Sequence, residues 1–175
     1  MNKYRNLNSK DQNLPVHSDV PSAEGFKIHI AVSDWNRSIT DKLLKGCQES
    51  LQEYGVAKDD IEVVRTPGSF ELPYAAKALI KNNAPDAVIC LGCVIKGETR
   101  HDEYINMAVA QGLTQLSLVS DTPVIFGVLT VKDDQQAEDR AGGKYGNKGI
   151  ESAVTAIRMV HLRKSFVKKK KSIGY

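Results

Sequence analysis

Four short segments of the chain combine residue types that can do chemistry together. In Lys96-Gly-Glu-Thr-Arg-His-Asp-Glu-Tyr104 a glycine-started turn gathers Glu98, the Thr99 hydroxyl, basic side chains and the imidazole of His101. Such a turn can cradle a phosphate, because backbone N–H groups, a hydroxyl and the positive end of a following helix all favour an anion. His101 would stand within one turn of that anion, and histidine, with an ordinary pKa of about 6.5, suits proton transfer near neutral pH. A lone histidine is equally at home in a structural role, and this segment alone does not choose.

The other three segments add recognition groups. Thr66-Pro-Gly-Ser-Phe-Glu-Leu-Pro73 joins a rigid turn to a helix start. Ser69 is expected to cap that helix, Phe70 offers an apolar face, and Glu71 offers a carboxylate acceptor for hydroxyls or amines. A plain turn and cap would use the same residues. Ser33-Asp-Trp-Asn36 holds the single tryptophan of the chain. Trp35 fits a core or a platform on which a flat heterocycle stacks. Gln136 to Gly149 is rich in glycine and basic residues, with Arg140 as a planar fork for phosphate and Lys148 as a point charge.

These segments need a scaffold, and the hydrophobic pattern supplies one. Phe26 to Val32 alternates like a strand, and Ile39, Leu43, Leu44, Cys47 and Leu51 then recur at helical spacing. Ile61 to Arg65 reads as a second strand, followed by a helix face of Leu72, Ala75, Ala76, Leu79 and Ile80. Ala87 to Ile95 is nearly all apolar, as a central parallel strand covered on both faces should be. Ile105, Ala108, Val109, Leu113 and Leu116 mark the next helix. Val124 to Val131 is a fourth strand, ahead of a charged segment and a last helix from about Asn147 to Phe166. Strands alternating with helices imply an α/β domain on a parallel sheet, with ligands beyond the carboxyl ends of its strands. The loops at Ser33, Thr66, Lys96 and Lys132 begin at those ends.

Composition narrows the function. With 175 residues, 41% hydrophobic and 26% charged, one globular core is expected. No apolar run reaches the roughly 18 residues of a membrane helix, and the first 25 residues carry no signal-like apolar block. A soluble, cytoplasmic protein without a membrane is expected. The net charge of +3 comes from the end of the chain: Arg163, Lys164 and Lys168 to Lys171 put six positive charges in the last 13 residues. Without them 18 basic residues face 21 acidic ones, so the body is near −3 and basicity does not argue for nucleic acid. Cys47, Cys90 and Cys93 read as buried, reduced thiols, since the CxxC pair lies in an apolar run with no second cluster for zinc. A GxSxG elbow, a GxGxxG turn after the first strand and a GxxxxGK[ST] loop are all missing. These residues imply an enzyme or binder acting on a planar heterocycle and a small phosphate, with no metal or cofactor.

Taken together, Asp34-Trp-Asn36, Pro67 to Pro73, Gly92 to His101, Phe126-Gly-Val-Leu-Thr130 and Arg140 to Gly149 closely resemble the 6,7-dimethyl-8-ribityllumazine synthase family, in order and spacing over residues 26–163. The resemblance implies a flavodoxin-like three-layer sandwich whose four-stranded parallel sheet has the order 2-1-3-4. Residues 1–25 would be a polar arm and 164–175 a basic tail. It implies the penultimate step of riboflavin synthesis: condensation of 5-amino-6-(D-ribitylamino)uracil with 3,4-dihydroxy-2-butanone 4-phosphate, releasing phosphate and water. By the same resemblance Trp35 stacks on the pyrimidine, Ser69, Phe70 and Glu71 receive the ribityl chain, and the backbone of Cys93, Val94 and Ile95 reads the pyrimidine edge. Glu98, Thr99 and Arg140 hold the phosphate, with Lys148 a base nearby, and His101 transfers protons. Phe126 is supplied by a neighbouring subunit. The implied partners are further copies of the chain, in pentamers and in sixty-subunit shells suggested by the short Gly142 to Asn147 turn, and riboflavin synthase. Two other functions fit the fold class: a silent flavin-binding or shell protein, which the intact set of Trp35, Glu71, Thr99, His101 and Arg140 disfavours, and a phosphoacceptor domain, which needs more acids than Asp34 at the strand ends.

Overall fold

In the computed structural model, which describes residues 19–171, Ile28–Ser33 form strand β1 and all six residues are buried. Their side chains alternate between two cores. Ile28, Ile30 and Val32 join Leu43, Leu51 and Ile157 on one side, whereas Ala31 joins Leu72, Ala76, Val109 and Leu113 on the other. Burial on both faces requires a central place in a parallel sheet.

The chain continues through α1 (Arg37–Glu53), β2 (Val63–Thr66), α2 (Leu72–Asn83), β3 (Ala87–Ile95), α3 (His101–Ser120) and β4 (Val124–Val131). Then follow α4 (Asp134–Arg140), a small hairpin of β5 (Ala141–Gly143) and β6 (Gly146–Asn147), and α5 (Lys148–Lys171). The four long strands pair in parallel in the order β2-β1-β3-β4, as the resemblance implies. Helices α1 and α5 cover one face, α2 and α3 the other. Among the described residues no helix is long and apolar enough to cross a membrane.

Local sequence explains the helices. In α1 the buried positions Ile39, Leu43, Cys47 and Leu51 recur every four residues, giving one apolar stripe. Each fully buried leucine contributes about 1.5–3 kcal/mol over an exposed one. Helix α2 has Pro73 in its first turn, where the missing N–H breaks no helical bond. Helix α5 starts where the N–H of Gly149 donates to Asn147 Oδ1 (2.8 Å) and Asn147 Nδ2 donates to the carbonyl of Lys42 (3.0 Å). A Cβ on Gly149 would sit 1.9 Å from the carbonyl oxygen of Leu43, so a larger residue would push α5 off α1.

Several boundaries differ from the sequence reading. Strand β1 begins at Ile28, because the N–H of Lys27 donates to the Asp86 side chain and Phe26 packs on the ring of His161. Strand β2 shifts to Val63–Thr66, since Lys58–Asp60 coil into a 3₁₀ turn and Thr66 pairs with Ser33. Helix α5 runs past Phe166 to Lys171. The charged segment after β4 forms α4, which the pattern did not show. Ahead of β1, Ala23 is buried and the carbonyl of Ser22 lies 2.8 Å from His161 Nε2, so that stretch packs on the body. Of the amino-terminal arm and the basic tail, residues 1–18 and 172–175 lie outside the described residues.

Candidate active site

Strands β1 and β3 are neighbours, yet the chain leaves them toward opposite faces, α1 packing on one side and α3 on the other. Pairing between them ends at Val32 and Leu91, while β3 runs on beside β4 to Ile95. The edge of β3 from Gly92 onward therefore has no β1 partner. Open parallel sheets bind ligands in the crevice at such a switch point. A cavity of about 630 Å³ lies there, the size of a small-molecule site.

The cavity wall brings together residues from four elements. Trp35 comes from the turn after β1, and Ser69, Phe70 and Glu71 from the 3₁₀ turn before α2. Cys93, Val94 and Ile95 come from the end of β3, and Thr99 and His101 from the start of α3. Glu98 lies exposed in the same turn but does not line the wall. The sequence reading missed Asp102, Tyr104 and Ile105, which line the cavity from the first turn of α3. Their signal was present: a helix beginning at His101 puts position 105 on the same face. One carboxylate oxygen of Asp102, Oδ1, is buried without a protein hydrogen-bond partner.

The turn before α2 is capped differently from the expectation. Glu71 reaches back so that the N–H of Gly68 donates to its Oε2 at 3.0 Å, leaving the carboxylate with further acceptor capacity. Ser69 does not cap. It is buried, and its hydroxyl faces Gly92, where an added Cβ would lie 2.5 Å from Ser69 Oγ. Glycine at 92 thus makes room for Ser69 on the sheet, which leaves Phe70 at the rim, 59% exposed.

At the start of α3, the N–H of His101 donates to Thr99 Oγ1 at 3.4 Å, and both residues are exposed. Arg100 Nε donates to Glu103 Oε2 at 2.9 Å, so one basic and one acidic group of this turn offset each other. His101, the first residue of α3, lines the cavity. The three cysteines are buried and unbridged. Burial pushes the thiols of Cys47 and Cys90 far above the ordinary range, and burial, helped by Asp134, pushes Cys93 up to about 11. None is a ready nucleophile, because the thiolate is the reactive form.

Three expected site residues lie elsewhere on the chain. Phe126, 38% exposed on edge strand β4, and Lys148 border a second hollow of about 340 Å³ with Ser152 and Met159. Lys148 Nζ donates to Glu151 Oε2 at 2.9 Å. Arg140 is exposed at the end of α4, its guanidinium carbon 5.5 Å from the centre of the Tyr145 ring. All three therefore lie outside the cavity wall of their own chain.

The sheet order and the cavity at its switch point define a flavodoxin-like α/β protein built to hold a small molecule. Comparison with known sequences narrows this. The sequence model of the family described as 6,7-dimethyl-8-ribityllumazine synthase matches residues 25–164. A 6,7-dimethyl-8-ribityllumazine synthase of Parabacteroides distasonis is 51% identical over 158 residues, covering 90% of this chain and 96% of the relative. One of Porphyromonas gingivalis is 48% identical over 161 residues (92% and 97%), and one of Phocaeicola vulgatus 44% over 165 (94% and 95%). The chain belongs to the 6,7-dimethyl-8-ribityllumazine synthase family.

Proposed function

We propose that this chain is a cytoplasmic enzyme that condenses 5-amino-6-(D-ribitylamino)uracil with 3,4-dihydroxy-2-butanone 4-phosphate in the cavity at the β1/β3 switch point. The observation that carries the site assignment is the convergence of Trp35, Glu71, Thr99 and His101 on that cavity in a member of this family. Trp35 stacks on the pyrimidine, the backbone of Cys93 to Ile95 reads its edge, and Ser69, Phe70 and Glu71 receive the ribityl chain. Thr99 and the α3 N-terminus take the phosphate with Arg140, while Glu98 and Lys148 shape the charge around it.

The reaction needs positioning and proton transfer. The 5-amino nitrogen attacks the ketone, and the carbinolamine loses water to give an imine. Removal of a proton expels phosphate and leaves an enol. After tautomerisation, the ribityl-bearing nitrogen attacks the remaining carbonyl, and loss of a second water closes the ring. Holding both reactants in register replaces an improbable encounter. Hydrogen bonds to the departing phosphate stabilise the charge that develops on it, and His101 moves the protons.

Phe126, Arg140 and Lys148 stand away from the cavity of their own chain, which supports a site completed by a neighbouring copy. By the family resemblance the copies form rings of five subunits with each site shared by two, and the short Gly142 to Asn147 turn resembles that of forms that build sixty-subunit shells. Riboflavin synthase is the partner that would consume the product. Mixing the purified protein with both substrates and following lumazine absorbance tests the function; no absorbance change with folded protein removes it.

A further inference from the structure

Trp35 is the chain's single tryptophan, and it is 71% exposed, so packing of the ring does not hold it in place. Its turn is held from outside. The N–H groups of Asp34 and Trp35 donate to the carbonyls of Thr66 (2.8 Å) and Pro67 (3.1 Å). Next to these bonds Arg65, at the carboxyl end of β2, extends across the turn: Nη1 donates to Asp34 Oδ1 at 2.9 Å and Nη2 to Asp41 Oδ1 at 2.5 Å. Asp34 immediately precedes Trp35, and Asp41 lies early in α1, so one guanidinium spans the segment that carries the ring.

Arg37 approaches the same two carboxylates, at 3.7 Å from Asp34 and 3.5 Å from Asp41, but its side chain is 62% exposed against 31% for Arg65. The hydrogen bond from Arg65 holds the Asp41 carboxyl below its ordinary range, and Asp41 in turn raises Arg65. None of these four charged residues lines the cavity. On the reading that Trp35 stacks on the pyrimidine, we infer that Arg65 is a positioning residue that fixes the Trp35 platform by bridging Asp34 and Asp41. A planar fork can hold two carboxylates at set angles, whereas a lysine offers one point charge on a flexible stem.

Arg65→Met keeps the aliphatic stem and removes the charge; Arg65→Lys keeps the charge and removes the fork. In the full chain, KM is measured for each substrate separately, and Trp35 fluorescence is quenched with acrylamide without substrate. Arg65→Met should raise KM for the ribitylaminouracil by about 3- to 10-fold, through loss of a pre-set geometry, and change that for the butanone phosphate by less than about twofold. The Trp35 quenching constant should rise with it, and Arg65→Lys should fall between wild type and Arg65→Met. Asp41→Asn, which cuts one arm, should repeat the pattern at smaller size and serves if Arg65→Met does not fold. Unchanged quenching, or equal rises in KM for both substrates, would overturn the assignment. Absence of turnover in the wild type counts against the proposed function instead, and the quenching result then judges the clamp by itself.

Discussion

The side-chain amide of Asn36 donates to the carbonyl oxygen of Cys93 at 3.0 Å, tying the residue after Trp35 to the end of β3. Two walls of the cavity are thereby fixed to each other. Asn36 also has φ +57°, in the left-handed region that asparagine and glycine tolerate best.

Bond and backbone separate by substitution. Asn36→Gly, which keeps the conformation and loses the bond, should cost about 1 kcal/mol; Asn36→Ala should cost about 1 kcal/mol more, because a Cβ is strained at this φ. Urea unfolding of the three proteins measures both. Equal losses would mean that the backbone conformation sets no constraint here.

His101→Ala should lower kcat by roughly 10- to 10⁴-fold, the upper part being the usual range of general acid–base groups. KM values should change little, since the cavity wall is otherwise intact. Wild-type turnover by a folded His101→Ala protein would remove the imidazole from the mechanism.

On the proposed reading of a site completed by a neighbouring copy, Trp35, which lines the cavity, and Arg140, which does not, act from different chains, so their variants should rescue each other. Trp35→Ala and Arg140→Ala should each be nearly inactive alone. Refolded together in equal amounts, they should regain activity, because about a quarter of the interfaces in a closed ring then join two intact halves. Turnover that stays at the level of the separate variants would place the whole site within one subunit.

His29 gives a pH test. Its ring is buried, and burial lowers its pKa more than Glu62, 3.8 Å away, raises it. The unfolded chain, with histidine near about 6.5, therefore binds the proton first as pH falls. The contribution of neutral His29 is complete above that pH and is lost as pH falls from there through the lower folded value. Between about pH 7.5 and 5.5 the wild type should lose more urea stability than His29→Gln. Parallel losses in the two proteins would show that His29 does not set the acid limb.

The sequence was most informative where one physical demand dominated. Ala87–Ile95 was legible to the residue because a strand buried on both faces leaves an apolar run with polar ends, and Val124–Val131 because its run of apolar and β-branched residues is bounded by Pro123 and Lys132. Helix α4 was not legible, because only Ala137 of it is buried and its start depends on the Asp133 side chain accepting from the N–H of Gln136. That Asp-x-x-Gln spacing was the available sign. Ser69 misled for a related reason: a serine before a helix suggests a cap, yet the Glu71 carboxylate serves that end while Gly92 makes space to bury the hydroxyl. Most residues of the cavity could be named from motifs, and the resemblance already gave Phe126 to a neighbouring subunit, whereas the separation of Arg140 and Lys148 from the cavity required the structure.

On the proposed reading of a site shared between copies, Gly127 has a consequence that reaches beyond its own chain. A Cβ there would lie 2.6 Å from Ser152 Oγ, 2.7 Å from Leu91 Cδ2 and 3.0 Å from the carbonyl oxygen of Cys90. Bare backbone at this point lets α5 rest directly on β4, and Ser152 Oγ in turn donates to the carbonyl of Lys148 at 2.7 Å. Phe126 and Lys148 are thus mounted on one plate of packed strand and helix. Where that plate closes another subunit's cavity, docking freezes few additional rotors. A single methyl group at Gly127 would then tilt the plate and do its damage in trans, spoiling a catalytic centre whose own chain carries no change.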